Sequence, residues 1–304
     1  MKVAILSLLN GKQSRYWKFI EQGIEAACGQ FQAEALRLSP PFEGANEKQI
    51  SAWQVKAIDE ILKDKEVKAA GVAWQDGRTA AASLNKLADA GIPFVTFDSD
   101  APDSKRAFFI GANNPAMGRT CAYVLAKQVS FSGGIAIDSP SLIIQSCIDR
   151  ITGFKDAICR YRDIRIIAEV GGDDSLSAMQ ATAKKTLDAD GLKGVFCVSS
   201  GSAKIYAELL KQRNMAGKVA LVCVNADEQI MEHIKNGVIH MAVAQRPYSI
   251  GYRLMDYLYQ IARSGIDTVL RGIPTSKMAD TGMHQVTKSN LDSYRETLRK
   301  TETA

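Results

Sequence analysis

Aromatic residues, cysteine motifs and long apolar runs are scarce in this sequence of 304 residues. Only 7% of its residues are aromatic, eight are proline and six are cysteine, with no CxxC pair. With 46% hydrophobic residues, such a chain is neither a disulfide-stabilised miniprotein nor a disordered segment. No apolar run reaches the roughly 18 residues that a bilayer-spanning helix needs. The composition is typical of a globular α/β protein, and the length predicts two domains.

Motifs for catalysis, metal binding and nucleic-acid binding are also missing. The three histidines are scattered, and there is no HExxH, P-loop, GxSxG or helix-opening GxGxxG pattern. The net charge of +5 comes from 38 basic and 33 acidic residues that are interspersed, so there is no basic arm for a phosphate backbone. We therefore expect no enzymatic activity, no metal, no cofactor and no nucleic-acid partner.

The first ten residues, MKVAILSLLN, resemble a short signal peptide but lack a small-residue cleavage site after them. We predict instead a buried first strand over residues 3–8. The chain is then either cytoplasmic or an exported protein supplied without its leader. Cys197 and Cys223 lie inside apolar runs and are predicted to be buried.

The chain contains an internal repeat with an offset of about 125 to 130 residues. Short apolar runs alternate with helical patterns throughout, which predicts βαβ units and parallel sheets. A strand, loop and helix with Gly23 are matched by a strand, loop and helix with Gly153. Strands ending near Ala112 and Ala244 both run into a proline-containing helix start with a glycine, Gly118 or Gly251. Each half is thus predicted to be a doubly wound α/β unit.

Two such halves predict a shared ligand site. Ligands bind outside the carboxyl ends of parallel strands, so two facing halves would form one cleft at the domain boundary, with the crossovers as hinges. The predicted division is residues 1–112 plus 246–274 for the N-terminal lobe and 113–245 plus 275–304 for the C-terminal lobe. The alternative is two independent domains that share a fold.

Polar and aromatic residues after the strands of the first half are candidates for this site. Asp98 can accept hydrogen bonds from adjacent hydroxyls, or can belong to a turn or cap. Tyr16 and Trp17 can stack on the C–H face of a ring, or pack into their own core. Trp74 has loop packing as its alternative. The candidates of this half are Gln13, Ser14, Tyr16, Trp17, Trp74, Asp98 and Ser99.

The second half and the crossovers offer the matching positions. Asn225 stands where Asp98 does, with a helix N-cap as its alternative. Ser199 stands where Trp74 does, with a local turn as its alternative. Of Asp173 and Asp174, one is expected to cap the next helix and the other to face the ligand. The remaining candidates are Gln145 and, at the crossovers, Asn113 and Gln245, whose alternative is to satisfy hinge backbone groups.

Nearly the whole chain resembles the type I periplasmic binding proteins of the ribose and galactose kind, and the effector domains of the lactose repressor family. The strongest stretch is AGIPFVTFDSDAPDS at 90–104, followed by FIGANN at 109–114. The resemblance implies two lobes joined by a multi-crossover hinge, an extracytoplasmic location, and a monomer that binds a monosaccharide or polyol. It also implies a partner, either an ABC transporter permease or a membrane sensor protein. By position, Asp98, Asn225 and Gln245 look like ligand residues of this family.

The sequence departs from the family pattern at three positions. Ile148 and Ser99 stand where sugar-binding members often have arginine, and Ala73 and Trp74 stand where an asparagine is common. Arg150 matches a later basic position, and Arg15 is a candidate replacement for the missing guanidinium. We therefore predict a sugar bound differently from ribose.

Two other functions remain open from the sequence. A sensor domain that works with a membrane kinase would use the same fold, whereas a complete repressor needs a helix-turn-helix before the first strand. An enzyme would need a nucleophile–base pair or metal cluster near the strand ends, and the sequence offers neither.

Overall fold

Alternating apolar runs and amphipathic segments fold into alternating strands and helices in a computed structural model. The structure describes residues 1–12, 14–42, 46–173 and 175–302. In chain order, the strands are β1 (Lys2–Leu6), β2 (Glu34–Leu38), β3 (Val67–Val72), β4 (Phe94–Phe97), β5 (Phe109–Gly111), β6 (Gly133–Ser139), β7 (Ile164–Gly171), β8 (Leu192–Cys197), β9 (Ala220–Val224), β10 (Met241–Gln245), β11 (Met278–Asp280) and β12 (Met283–Val286). The helices are α1 (Arg15–Phe31), α2 (Glu47–Lys63), α3 (Ala80–Asp89), α4 (Asn114–Gln128), α5 (Gln145–Ile158), α6 (Leu176–Leu187), α7 (Ser200–Gln212), α8 (Glu228–Lys235), α9 (Pro247–Ser264), α10 (Ile266–Leu270) and α11 (Leu291–Glu302), with a 3-10 turn at Lys288–Asn290.

The chain divides into two units. The first comprises Met1–Ala112, Ile143–Ser146 and Arg246–Gly282, and the second comprises Asn113–Leu142, Cys147–Gln245 and Met283–Ala304. The predicted division placed residues 143–146 in the C-terminal lobe, whereas Ile143–Ser146 belong to the first unit. It also placed the last change of unit between residues 274 and 275. Strand β11 pairs with β5 of the first sheet, which brings the residues up to 282 into the first unit.

The first unit contains a six-stranded sheet in the order β11-β5-β4-β3-β1-β2, and all of its pairs are parallel. Alternate residues of β1 face opposite sides, as the pleat requires. Val3 and Ile5 pack with α1 and α9, whereas Ala4 and Leu6 pack with α2 and α3. Helices therefore cover both faces, and the carboxyl ends of the strands form one edge of the sheet.

The second unit repeats this plan in the order β12-β10-β9-β8-β6-β7, with β12 antiparallel to β10 and the other pairs parallel. Helices α7 and α8 pack on one face. On the other face Phe154 of α5 stacks on Phe196 of β8, with ring centroids 4.5 Å apart. The prediction of two doubly wound α/β units is confirmed. Cys197 and Cys223 are buried in strands, as predicted.

Reciprocal glycines explain the glycine positions of the internal repeat. In the first unit, a Cβ on Gly23 would lie 2.1 Å from the carbonyl oxygen of Tyr248, and one on Gly251 would lie 2.0 Å from that of Ile20. Helices α1 and α9 therefore approach each other more closely than any side chain allows.

The second unit uses the same device between α4 and α5. A Cβ on Gly118 would lie 2.0 Å from the carbonyl oxygen of Arg150, and one on Gly153 would lie 2.1 Å from that of Pro115. The matched glycines of the two halves thus have the same structural role, a close helix crossing on one face of each sheet.

Among the described residues, no helix combines the length and the apolar character needed to cross a bilayer.

Candidate functional site

Asp98 lies directly after β4, at the carboxyl edge of the first sheet, in a left-handed conformation with φ of 60°. Its N–H donates to the carbonyl of Ile110 at 3.1 Å, which ties the turn to β5. The Tyr16 hydroxyl donates to Asp98 Oδ1 at 2.5 Å. Aspartate is one of the few residue types that tolerate a positive φ, so the fold presents a carboxylate at this edge at modest backbone cost.

The aromatic pair of α1 is divided between two roles. Tyr16 is half-buried and contacts Asp98, as a site residue would. Trp17 is buried in the core of the first unit, edge-on to Phe97 with ring centroids 6.0 Å apart. For Trp17 the structure therefore favours the core alternative over stacking on a ligand. Arg15 lies over the ring of Phe19, with its Cζ 5.6 Å from the ring centroid.

The start of α1 holds two further candidates. Ser14 occupies the N-cap position and is half-buried, and among the described residues its side chain makes no capping hydrogen bond. Gln13 lies outside the described residues.

Trp74 follows β3 and is buried, because its ring packs among residues such as Leu6 and Val72 on the α2 side of the sheet. The expected stacking face is thus occupied by the core. Its indole Nε1 has no hydrogen-bond partner among the described residues.

The loop around Trp74 is held by a residue that the sequence analysis missed. Gln54 of α2 is fully buried, donates from Nε2 to the carbonyl of Ala73 at 2.7 Å, and accepts from the N–H of Gln75 at 2.9 Å. Gln54 lies on the apolar stripe of α2, between Ile50 and Ile58, where a polar residue needs a partner. A glutamine on the apolar face of a predicted helix was the sequence feature that could have identified this residue.

Ser99 stands next to Asp98, and its hydroxyl is buried without a partner among the described residues. The guanidinium of Arg106 lies nearby but is paired with Asp100, within the loop after β4. It forms an ion pair with Asp100, in which Nη2 donates to Oδ2 at 2.6 Å and Nε lies 2.5 Å from Oδ1. Asp100 also accepts from Thr96 and from the N–H of Ala101, so the pair braces the loop after β4.

Asn225 lies directly after β9 of the second unit with φ of 70°, the counterpart of Asp98. Its N–H donates to the carbonyl of Val243 at 2.9 Å, again toward the next strand. Gln245, at the end of β10, donates from Nε2 to Asn225 Oδ1 at 3.2 Å, and Gln245 Oε1 has no partner among the described residues. The N-cap of α8 is Asp227, so Asn225 does not have the capping role that was its alternative.

The other candidates of the second half have mostly local roles. Asn113 is the N-cap of α4 and accepts from the N–H of Ala116 at 3.0 Å. Its side chain thus has the alternative role, that of satisfying a backbone group. Ser199 is the N-cap residue of α7 and is half-buried, without a side-chain capping bond among the described residues. Gln145 is different: it is the first residue of α5 and is half-buried, but it belongs to the first unit, where its side chain lies next to Gly77.

Asp173 is exposed and accepts from the N–H of Ser175 at 2.9 Å, a hydrogen bond that lowers the pKa of its carboxyl. The N-cap of α6 is Ser175, so Asp173 is a turn residue and neither caps the helix nor lies in a buried site. Asp174 lies outside the described residues.

Arg150 is a buried cation in the second unit. Its Nε donates to Asn114 Oδ1 at 2.9 Å, and its Nη1 donates to the carbonyl of Val198, just after β8, at 3.3 Å. Both partners are neutral, so the guanidinium lies near a strand end without a carboxylate among these bonds. Nearby in the sheet, Asp138 is buried and accepts from the Tyr206 hydroxyl at 3.1 Å, and burial raises the pKa of its carboxyl.

Within the part of the chain that the structure describes, no group of three or more His, Cys, Asp or Glu side chains is arranged to hold a metal ion. The chemistry available at the strand ends is hydrogen bonding by a carboxylate, amides, hydroxyls and aromatic N–H and O–H groups.

Comparison with known proteins places the whole chain in context. The sequence profile of the family described as "Periplasmic binding protein domain" matches residues 5–266. The chain is 21% identical over 274 residues to the D-allose-binding periplasmic protein of Escherichia coli (strain K12), a match that covers 87% of this chain and 86% of that protein.

Solved structures have the same fold. An ABC transporter solute-binding protein from Burkholderia graminis C4D1M, in complex with D-arabinose, matches with a TM-score of 0.84 and 24% identity over 97% of each chain. An ABC transporter solute-binding protein from Agrobacterium vitis, bound with α-D-tagatopyranose, matches with a TM-score of 0.82 and 22% identity over 96% of each chain. The resemblance noted in the sequence is thereby confirmed.

Proposed function

Because the chain belongs to the periplasmic binding protein domain family, we propose that it is an extracytoplasmic solute-binding protein for a monosaccharide. It captures the sugar with side chains at the strand ends of both units and delivers it to an ABC importer. The observation that carries the proposal is the matched pair of Asp98 and Asn225, each held in a left-handed turn directly after a buried strand.

The chemistry at these strand ends suits a neutral polyhydroxylated ligand. Asp98 supplies a carboxylate that accepts from hydroxyls, and Asn225 and Gln245 supply amide donors and acceptors. Hydrogen bonds to a charged group are stronger than those between neutral groups, so the carboxylate is expected to fix the sugar's orientation. The relatives are described with D-allose, D-arabinose and tagatose, which places aldoses and ketoses first among the ligands to test.

The function is binding without catalysis. A sugar that binds side chains of both units stabilises the conformation in which both contact it, and the ligand thereby shifts an equilibrium that exists without it. The transport partner then recognises that conformation. The description of the family as a periplasmic binding protein domain supports a binding role.

A thermal-shift screen tests the proposal. D-Allose, D-arabinose, D-tagatose, D-ribose, D-galactose and xylitol are added separately, and the melting temperature is followed. A ligand present at 100 times its Kd stabilises a protein by about 2.7 kcal/mol, which gives a shift of several degrees. The Asp98→Asn variant serves as the control, since it keeps the size and the left-handed turn but loses the charge. If no sugar or polyol raises the melting temperature, or if the variant responds like the wild type, the proposal is wrong.

A further inference from the structure

Exposed apolar side chains are concentrated along one strand of the second unit. Nine large hydrophobic side chains are exposed among the described residues, and five of them lie in or beside β7: Phe131, Leu142, Ile166, Ile167 and Leu176. Single exposed hydrophobic residues are normal on a protein surface, whereas a cluster of them marks an interaction surface. We call these five residues the apolar edge.

Strand β7 is the outermost strand of the second sheet and, among the described strands, it pairs only with β6. Its eight residues make it the longest strand of the described chain. The other outermost strands, β12, β2 and β11, have four, five and three residues. A long edge strand presents a row of N–H and C=O groups that can pair with a strand of another chain.

The centre of β7 contains a bulge whose residues are apolar. Ile135 lies opposite Ile166 and Ala136 lies opposite Ala168, so Ile167 is an extra residue without a partner in β6. The bulge increases the twist of the strand and leaves Ile166 and Ile167 37% and 39% exposed. Lysine and proline protect many strand edges, and β7 contains neither.

The charges of β7 are arranged symmetrically about Ile167, with Arg165 two residues before it and Glu169 two residues after it. If two β7 strands pair antiparallel with Ile167 at the centre, Arg165 of each copy lies opposite Glu169 of the other. Shifting the register by one or two residues in either direction removes this match. Arg165 is exposed and forms no ion pair among the described residues, and Glu169 is paired only with an exposed lysine of α5, Lys155. Opposite charges at such cross-strand positions stabilise a strand pair.

The two ends of β7 also complement each other. At its amino end, the rings of Phe131 and Tyr161 lie with their centroids 5.3 Å apart. At its carboxyl end, the Leu142 side chain lies beside Gly172, and Leu176 begins α6 and is 63% exposed. In an antiparallel pair, the amino end of each strand meets the carboxyl end of the other. The aromatic pair of one copy would therefore face the leucines of its partner.

We propose that β7 binds a second copy of this chain. Two β7 strands pair antiparallel about a two-fold axis at Ile167, which joins two six-stranded sheets into one continuous sheet and covers the apolar edge. The partner is a second copy because the charges and the apolar ends of this strand match those of the same strand reversed. The family resemblance implied a monomer, whereas this edge favours a dimer. The inference goes beyond sugar capture and does not depend on it.

Sedimentation velocity over a concentration series tests the proposal, with the wild type, Ile167→Lys and Val55→Lys. Val55 is the matched control, because it is also 39% exposed but lies on α2 of the first unit. We expect the wild type to shift from monomer to dimer as its concentration rises. Ile167→Lys places two lysines together at the axis, so its dimer Kd should rise about 100-fold. The dimer Kd of Val55→Lys should equal that of the wild type, and melting temperatures show whether each variant is folded.

A charge-reversal experiment tests the register. Arg165→Glu alone places glutamate opposite glutamate at two positions, and Glu169→Arg alone places arginine opposite arginine. We expect each variant to raise the dimer Kd about tenfold, because like charges directly opposite each other destabilise a strand pair. In an equimolar mixture, one variant supplies both acidic residues and the other both basic residues. The mixture should therefore form a heterodimer with wild-type affinity.

The outcomes are distinct from one another. A wild type that stays monomeric at every concentration overturns the inference, as does a dimer that Ile167→Lys leaves intact or that Val55→Lys also disrupts. If the mixture associates as weakly as the separate variants, the pairing about Ile167 is wrong. The charge variants alter exposed positions, so they decide the question even if Ile167→Lys fails to fold. None of these measurements requires a sugar, so failure of the proposed function would leave this inference standing.

Discussion

The two units place different side chains at the same point of the same backbone plan. Asp98 and Asn225 each follow a buried strand, adopt a positive φ, and donate their N–H toward the next strand. In the first unit the side chain is a carboxylate that accepts from a phenol of α1. In the second it is an amide that accepts from the amide of Gln245, at the end of β10.

This difference indicates what the repeat preserves. The left-handed turn admits few residue types, and both Asp and Asn are among them, so the backbone restricts the position without deciding its charge. A single charged acceptor in the first unit and a neutral amide pair in the second give unequal hydrogen-bond strengths around the proposed sugar. The units are equivalent as scaffolds and differ in the side-chain chemistry at this position.

We expect the largest change in stability from substitutions at the helix crossings, α1 with α9 in the first unit and α4 with α5 in the second. Gly23→Ala in the first unit and Gly118→Ala in the second each place a Cβ within 2.1 Å of a carbonyl oxygen. We expect each to lower the free energy of unfolding by about 3 kcal/mol, at the upper end for overpacking, because backbone atoms cannot move aside without separating two helices. Urea denaturation measures both.

Gly29→Ala is the matched control in α1, since no atom lies within 4 Å of the added Cβ. There we expect stabilisation of about 0.5–1 kcal/mol, because alanine has the higher helix propensity. If Gly23→Ala behaved like Gly29→Ala, the close approach of α1 and α9 would be disproved.

The second prediction compares the two strand-end residues through the same substitution, Asp98→Gly and Asn225→Gly. Glycine accepts the left-handed turn, so both proteins should fold. We expect the affinity for sugar to fall about 50-fold for Asp98→Gly and about fivefold for Asn225→Gly, because hydrogen bonds to a charged group contribute more than neutral ones. Calorimetric titration gives both values, and equal losses would show that the charge does not distinguish the units.

The third prediction, with the smallest effect, uses the uneven distribution of two residue types. All three tryptophans lie in the first unit, and all three histidines lie in the second. Burial lowers the pKa of His233 and of His240. A histidine whose folded pKa lies below its unfolded value of about 6.5 stabilises the fold less as the pH falls through that range, because the unfolded chain takes up the proton more readily.

We therefore expect the second unit to lose stability between pH 7 and pH 5 before the first does. Circular dichroism should report the loss at a lower urea concentration than tryptophan fluorescence does. The His240→Asn variant should reduce the difference, since an amide oxygen can accept from the N–H of Leu221 as His240 Nδ1 does now, without titrating. Parallel transitions by both probes at pH 5 would contradict this prediction. The contribution of Asp138 to this pH dependence has the opposite sign. Burial raises the pKa of its carboxyl, so proton uptake at low pH stabilises the folded second unit.

Much of the fold followed from local patterns. Apolar runs of four to eight residues between helical segments predicted parallel sheets, and the repeat of Gly23 and Gly153 predicted two related units. The end of the first unit was misplaced, because β11 is only three residues long and its partner β5 is more than 160 residues earlier in the chain. A short strand paired at that distance has no local sequence signal.

The candidate site was predicted less evenly. Asp98 and Asn225 directly follow strands and Gln245 is the last residue of one, and at such positions the strand end itself directs the residue toward the carboxyl edge. Trp17 lies in the first turn of α1, and Trp74 lies in the loop after β3. At such positions packing decides whether a ring faces the core or the carboxyl edge of the sheet. Gln54 was missed because its contacts depend on elements that are distant in sequence.

The sequence by itself determined the alternation of strands and helices, the duplication, and the positions where a polar residue must follow a buried strand, because these depend on periodicity and on neighbours along the chain. Only the tertiary structure decided which polar atoms are satisfied and which are left without a partner at the carboxyl edge. The physical reason is that burial and hydrogen bonding are set by side chains that fold together from distant segments, as Gln54 does at the loop of Trp74.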